Sequence, residues 1–355
     1  MTPLKTFIAT AGAIGLLGLT AADEASAQAE TVRVGWCTSV FTTGAAPFAI
    51  AQHFGWYEDL GVEVELVNFG GSSDRVRNIA TGEVLAAVPS LEPMALLQAS
   101  GVDTKVFYKA FRRNIFGIAV PEDSEIMTYA DLKGKNIGVT SMASNGVLIA
   151  RSVVSSAGLN PDTDVRIVVS GQPAQSAVLM EKGDVQAVSQ WDTNYTLMSL
   201  AGMPMRTLED DLISTFPANS FAALPSTIEE QGELLAKVAA GYAMGQMFII
   251  EDPRTGMDIF QTVYPEVTPT GMDYEASLDQ GEALLRTVSE NWTLDGETEN
   301  WGESILPTYQ KYLDWLVDVE VLPASMEASD IATNELIDEI NATIDMSKVE
   351  AALAE

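Results

Sequence analysis

Short hydroxyls, amides and aromatic rings recur wherever an apolar run gives way to a helical pattern, which is chemistry for holding a small molecule. Trp36, Ser39, Phe41 and Thr42 follow the run at 32–36. Ser72 follows Gly70-Gly71, and Ser90 and Glu92 follow the run at 85–88. Further on, Ser141, Ser144 and Asn145 precede a helical pattern, and Trp191, Asp192 and Tyr195 come after the run at 185–189. Hydroxyls beside the free N–H groups of a helix start make an anion site. Rings at Trp36, Phe41, Trp191 and Tyr195 can sandwich a planar or aliphatic body. An oxyanion wants Arg or Lys, yet no basic residue stands inside these loops, and Asp192 and Glu92 oppose a bare anion. A small organic ligand of aromatic or zwitterionic character is therefore expected.

Each residue also has a plainer duty. Ser72, Ser144 and Asp74 serve equally well as helix caps, and Trp36 and Trp191 as core rings. Asp192 either caps the following helix or receives a ligand ammonium or ring N–H. Arg112 and Arg113 fall on an expected hinge strand, from which one can reach a cleft.

Catalytic equipment is hard to assemble. The only His, His53, sits in mid-helix, no G-x-S-x-G elbow is present, and a Ser-His-Asp hydrolase needs both base and nucleophile on accessible turns. With 50 Asp+Glu a carboxylate pair is available, but nothing singles one out. One Cys and one His exclude thiolate zinc sites, iron–sulfur clusters, two-His metal sites and an intramolecular disulfide. No metal or cofactor is expected. A formal charge of -31 with 19 Lys+Arg argues against nucleic acid and anionic membranes, which are gripped by clustered cations.

The elements that must position these residues alternate. Strands are expected at 32–36, 62–67, 85–88 and 105–111, with helices at 47–60, 74–80 and 93–100 between them. A second set has strands at 116–120, 136–140, 165–169 and 185–189 and helices at 147–157, 174–182 and 193–200. Such β-α-β alternation means mainly parallel sheets covered by helices, and ligands then sit beyond the carboxyl ends of the strands. From 226 onward the pattern is mostly helical. Crossings near 110–116 and 210–222 are expected to form a hinge. That divides the chain into a first lobe of 28–112 with 217–355 and a second of 113–216. Residues 1–27 read as a secretory signal peptide: Lys5, an apolar stretch over 7–19, and Ala25-Ser26-Ala27 as the cleavage site. The stretch 234–250 is interrupted by Lys237, Gly241, Gly245 and Gln246, so no span of a membrane is expected in the mature chain.

The residues at 131–139, DLKGKNIGV, resemble a segment of periplasmic solute-binding proteins of ABC importers. Residues 181–187, EKGDVQA, are similar to their xxGDVDA segment, with Gln186 in place of the usual acid, and Trp191-Asp192 resembles the corner that follows, with Thr193 in place of Pro. The opening over 47–65 resembles that of the nitrate/sulfonate/taurine branch, which includes binders of thiamine-precursor pyrimidines and of aromatic acids. The resemblance covers about 31–250. It implies an α/β, type II periplasmic-binding-protein fold, with two lobes closing on one ligand. It also implies periplasmic location, delivery to an ABC permease, a monomer and no enzymatic activity. The matching segments do not specify the ligand; taken with the loop residues above, it is expected to be aromatic, zwitterionic or sulfonate- or carboxylate-like. A sensor subunit presenting ligand to a receptor is the alternative, with a secreted hydrolase behind it.

Overall fold

Val62 and Val64 are buried while Glu63 and Glu65 are exposed, because successive side chains of a strand face opposite ways. This strand, β2 (Val62–Asn68), pairs in parallel with β1 (Glu30–Trp36), Val32 opposite Val64. The computed structural model describes residues 29–36, 41–208, 213–294, 296 and 298–355. The expected signal peptide, Cys37 and Ser39 lie outside the described residues.

Among the described residues the strands form two five-stranded sheets. The first adds β3 (Ala86–Ala87) and β4 (Lys105–Tyr108). The chain then crosses to the second sheet, built from β5 (Phe116–Pro121), β6 (Asn136–Val139), β7 (Arg166–Val169), β8 (Ala187–Trp191) and β9 (Met205–Thr207). It returns to the first sheet through β10 (Phe221–Ala223). The orders are β2-β1-β3-β10-β4 and β7-β6-β8-β5-β9. Both sheets are parallel but for one strand each. β10 runs antiparallel between β3 and β4, and β5 antiparallel between β8 and β9. In each case the odd strand is the first one laid down after a crossing, so the chain enters against the direction of the βαβ units.

The helix expected over 47–60 is broken. Ala46–His53 and Trp56–Asp59 are separated at Gly55, whose φ of 69° is left-handed, a conformation Gly adopts without the Cβ penalty. The helical tail lies on the first sheet. Its longest helix, Gly232–Glu251, buries Leu235, Tyr242 and Phe248 in that core. Tyr242 Oη donates to Gly44 O at 2.9 Å, and Tyr108 Oη donates to Gln246 Oε1 at 2.7 Å. Contrary to the sequence reading, this helix is long and apolar enough by length and composition to cross a membrane, but 78% of the apolar window is buried inside the protein. It is accounted for as a core helix.

Gly245 marks how closely this helix approaches its neighbour. A Cβ there meets Pro47 O at 2.2 Å. Gly245→Ala is expected to destabilise the protein by about 1–3 kcal/mol despite the better helix propensity of Ala. Urea unfolding checks this, and an unchanged midpoint contradicts so tight a contact.

Candidate functional site

A cavity of about 570 Å³, counted to its open mouth, lies between the carboxyl ends of the two sheets. Trp36 at the end of β1 forms one wall, with its Nε1 donating to Thr42 Oγ1 at 3.3 Å. Gly70, Gly71 and Ser72 come from the turn after β2, Ser144 and Asn145 from the turn after β6, and Trp191 and Asp192 from the end of β8. Phe111 and Ile115, on the first crossing, and Phe116, at the start of β5, close one side. Phe116 meets Trp191 edge-on, with centroids 6.2 Å apart.

Several helices begin at this cavity: Ala46–His53 through the turn at Thr43–Ala45, then Ser72–Ala80, Gly146–Ser156 and Asp192–Leu200. Their first-turn N–H groups bias the space toward negative charge. Arg75 adds a full cation. It lies one turn into Ser72–Ala80, is 1% exposed, and lines the cavity. Its Nη2 donates to Ser72 Oγ at 2.5 Å. The loops are free of cations, but the helix behind one of them supplies an Arg.

Asp192 faces the same cavity. Its Oδ1 accepts from Thr193 N at 2.6 Å and its Oδ2 from Asn291 Nδ2 at 2.8 Å. Burial, which disfavours the charged form, pushes its carboxyl up to about 7 despite these bonds. The folded protein therefore holds a proton, between pH 3.8 and about 7, that the unfolded chain has released. Stability should fall as pH rises through that window, and Asp192→Asn should flatten the decline. Urea midpoints at several pH values check this; parallel pH profiles for the two proteins contradict it.

Asn145 is 3% exposed, its Nδ2 donates to Glu92 Oε1 at 3.0 Å, and its Oδ1 has no partner among the described residues. Glu92 itself lies outside the cavity. Its buried carboxyl also accepts from Tyr312 Oη, and burial raises its pKa. Glu92 thus ties the first sheet's helix Leu91–Gln98 to the second sheet's Asn145.

Four further candidates lie outside the cavity. Ser90 stands behind Ser72 (Oγ to Oγ 3.2 Å) and donates to Asn219 Oδ1 at 3.1 Å. Ser141 Oγ donates to Gly70 O at 2.9 Å, joining the two turns. Tyr195 is held within the second sheet, donating to Gly117 O at 2.9 Å and accepting from Gln190 N at 2.8 Å. Phe41 leans on Tyr264 at 4.6 Å and faces a neighbouring chamber. Capping does not occupy Ser72 or Asn145, whose helices show no side-chain cap bond; Ser144 Oγ does accept from Gly146 N at 3.2 Å. Arg112 reaches Thr298 Oγ1 at 2.8 Å.

Two sheets facing each other across such a cavity, linked by two crossings, define the periplasmic-binding-protein fold. A protein of Bordetella bronchiseptica RB50 superposes with a TM-score of 0.68 at 18% identity, over 89% of this chain and 98% of its own. The alkanesulfonate-binding protein SsuA of Xanthomonas axonopodis pv. citri, bound to MOPS, gives 0.62 at 19% identity over 85% and 98%. The periplasmic nitrate-binding protein NrtA of Synechocystis PCC 6803 gives 0.64 at 14% identity over 91% of each.

Residues 42–255 match the family described as NMT1/THI5 like, and the chain belongs to that family. A curated relative, the nitrate import ATP-binding protein NrtC of Synechococcus elongatus, is 25% identical over 193 residues, 50% of this chain. The chain spans 29% of that protein's length.

Proposed function

We propose that the protein is an extracytoplasmic solute-binding protein that captures a small organic oxyanion between two lobes and delivers it to an ABC permease. The observation that carries this is the cavity where the strand ends of both sheets meet, with buried Arg75 and several helix starts around it. The carboxylate or sulfonate of the ligand lies against Ser72 and Arg75, and its body between Trp36, Phe111, Phe116 and Trp191. Asp192 and the carbonyl of Asn145 accept an N–H or ammonium at the other end, so a zwitterion or an aromatic acid bearing nitrogen uses the site fully. The relatives described as binding alkanesulfonate or nitrate, or as importing nitrate, support an anion and an importer. The leader at 1–27 supports export to the periplasm, where a monomer with lobes of 28–112 plus 217–355 and of 113–216 closes on its ligand. Closure is a population shift driven by the ligand's higher affinity for the closed form.

Thermal unfolding of the purified protein against sulfonates, nitrate, taurine, aromatic carboxylates and aminopyrimidines tests the reading. A true ligand at about 100 times its Kd should add roughly 2.7 kcal/mol of stability. A panel that stays flat after refolding to strip any co-purified ligand overturns the ligand class.

A further inference from the structure

The cleft does not end at the cavity of Arg75 and Asp192. A second chamber of about 720 Å³, counted to its open mouth, adjoins it, and the two share Thr42, Thr43 and Thr193 as walls. Phe41, Leu197, Met257, Phe260, Val267 and Leu284 line it. Several of its polar side chains are already engaged by the protein. Asn194 Nδ2 donates to Gln190 Oε1 at 2.7 Å, Ser277 Oγ to Gln261 Oε1 at 3.1 Å, and Gln172 is tied into the capping box of its helix. Such a wall offers a ligand apolar surface and little call for hydrogen bonds.

We infer that the second chamber is the tail subsite of the same ligand: an oxyanionic head sits at Ser72 and Arg75, and a flexible apolar tail passes the three threonines into the chamber. The inference rests on the oxyanion reading of the first cavity. It narrows the ligand to an amphiphile with a short alkyl or aryl-alkyl tail. A bare inorganic anion leaves the second chamber unused. The walls come from both sides of the cleft, with Leu197 on the helix after β8 and Met257, Phe260 and Leu284 on the helical tail. A tail there touches both sides and so favours their approach.

Titration calorimetry with n-alkanesulfonates and n-alkanecarboxylates from one to eight carbons tests this. The affinity should rise by about fourfold per methylene once the tail passes the threonines. Leu197→Trp, which fills the chamber from a partly exposed position, should flatten that slope and leave the one-carbon members unchanged. Leu284→Trp should do the same, and thermal unfolding of each variant shows whether it is folded. If short members bind but the slope is flat, or if it survives Leu197→Trp, the tail subsite is overturned and the solute-binding reading stands. If no member of either series binds, the oxyanion reading fails and the tail subsite fails with it.

Discussion

Arg75→Ala should weaken binding of the cavity's ligand by about 2–4 kcal/mol, roughly 30- to 1,000-fold. A guanidinium that is 1% exposed and lines the ligand cavity acts in a medium that screens charge poorly. Its fork also orients Ser72, whose Oγ accepts from it. Arg75→Lys keeps the charge but loses the planar fork, so it should recover only part of the affinity. Arg77, two residues on, is the control. Its side chain is 58% exposed and pairs with Asp74 at 3.5 Å, so Arg77→Ala should change affinity by less than about twofold. Calorimetry with the strongest ligand of the panel gives the numbers, and thermal unfolding without ligand separates lost binding from lost folding. Equal affinities for Arg75→Ala and the parent would remove the anion from the proposed function.

Arg75 shows where reading the sequence stops. Ser72 was legible because it follows a Gly-Gly turn at a strand end. Arg75 was not, because attention to loops passes over the first helical turn. A signal did exist: Ser72 and Arg75 are three apart, which puts them on one face of the helix. The same limit works in reverse for Ser90, Glu92 and Tyr195. They stand close to strand ends, as expected, but proximity along the chain does not say which way a side chain points. Their side chains turn toward Asn219, Tyr312 and Gly117 respectively.

The fold was more open to view. β1 and β2 were plain from their alternation and flanking turns, and most helices from their spacing. β9 and β10 were missed because three residues carry no period. Phe221–Ala223 exists as a strand only because β3 and β4 leave a gap that it fills. The short helix Pro225–Glu230 was lost for the same want of length. The break at Gly55 escaped because the apolar pattern of 47–60 continues across it, and only a left-handed φ there reveals that two helices share one face.

Gly71→Ala should lower ligand affinity by about 1–3 kcal/mol, roughly 5- to 150-fold, while leaving the ligand-free protein nearly as stable as the parent. The backbone at Gly71 is extended, with φ of 168°, so Ala fits its own conformation there. The obstacle is across the cleft. A Cβ on Gly71 meets Ala143 O at 2.1 Å and Ser144 N at 2.9 Å, both on the turn after β6. The same two turns are joined by the bond from Ser141 Oγ to Gly70 O. Backbone against backbone cannot be relieved by a rotamer change, so one turn must back away. The added methyl therefore penalises the arrangement in which these two turns meet, and under the proposed closure apparent affinity falls with the fraction of molecules able to close. Ser141→Ala removes a hydrogen bond without adding bulk, and should cost about 1 kcal/mol or less. Small-angle scattering at saturating ligand should find Gly71→Ala more extended than the parent. If Gly71→Ala binds as tightly as the parent and is equally compact, the contact between these turns does not govern closure.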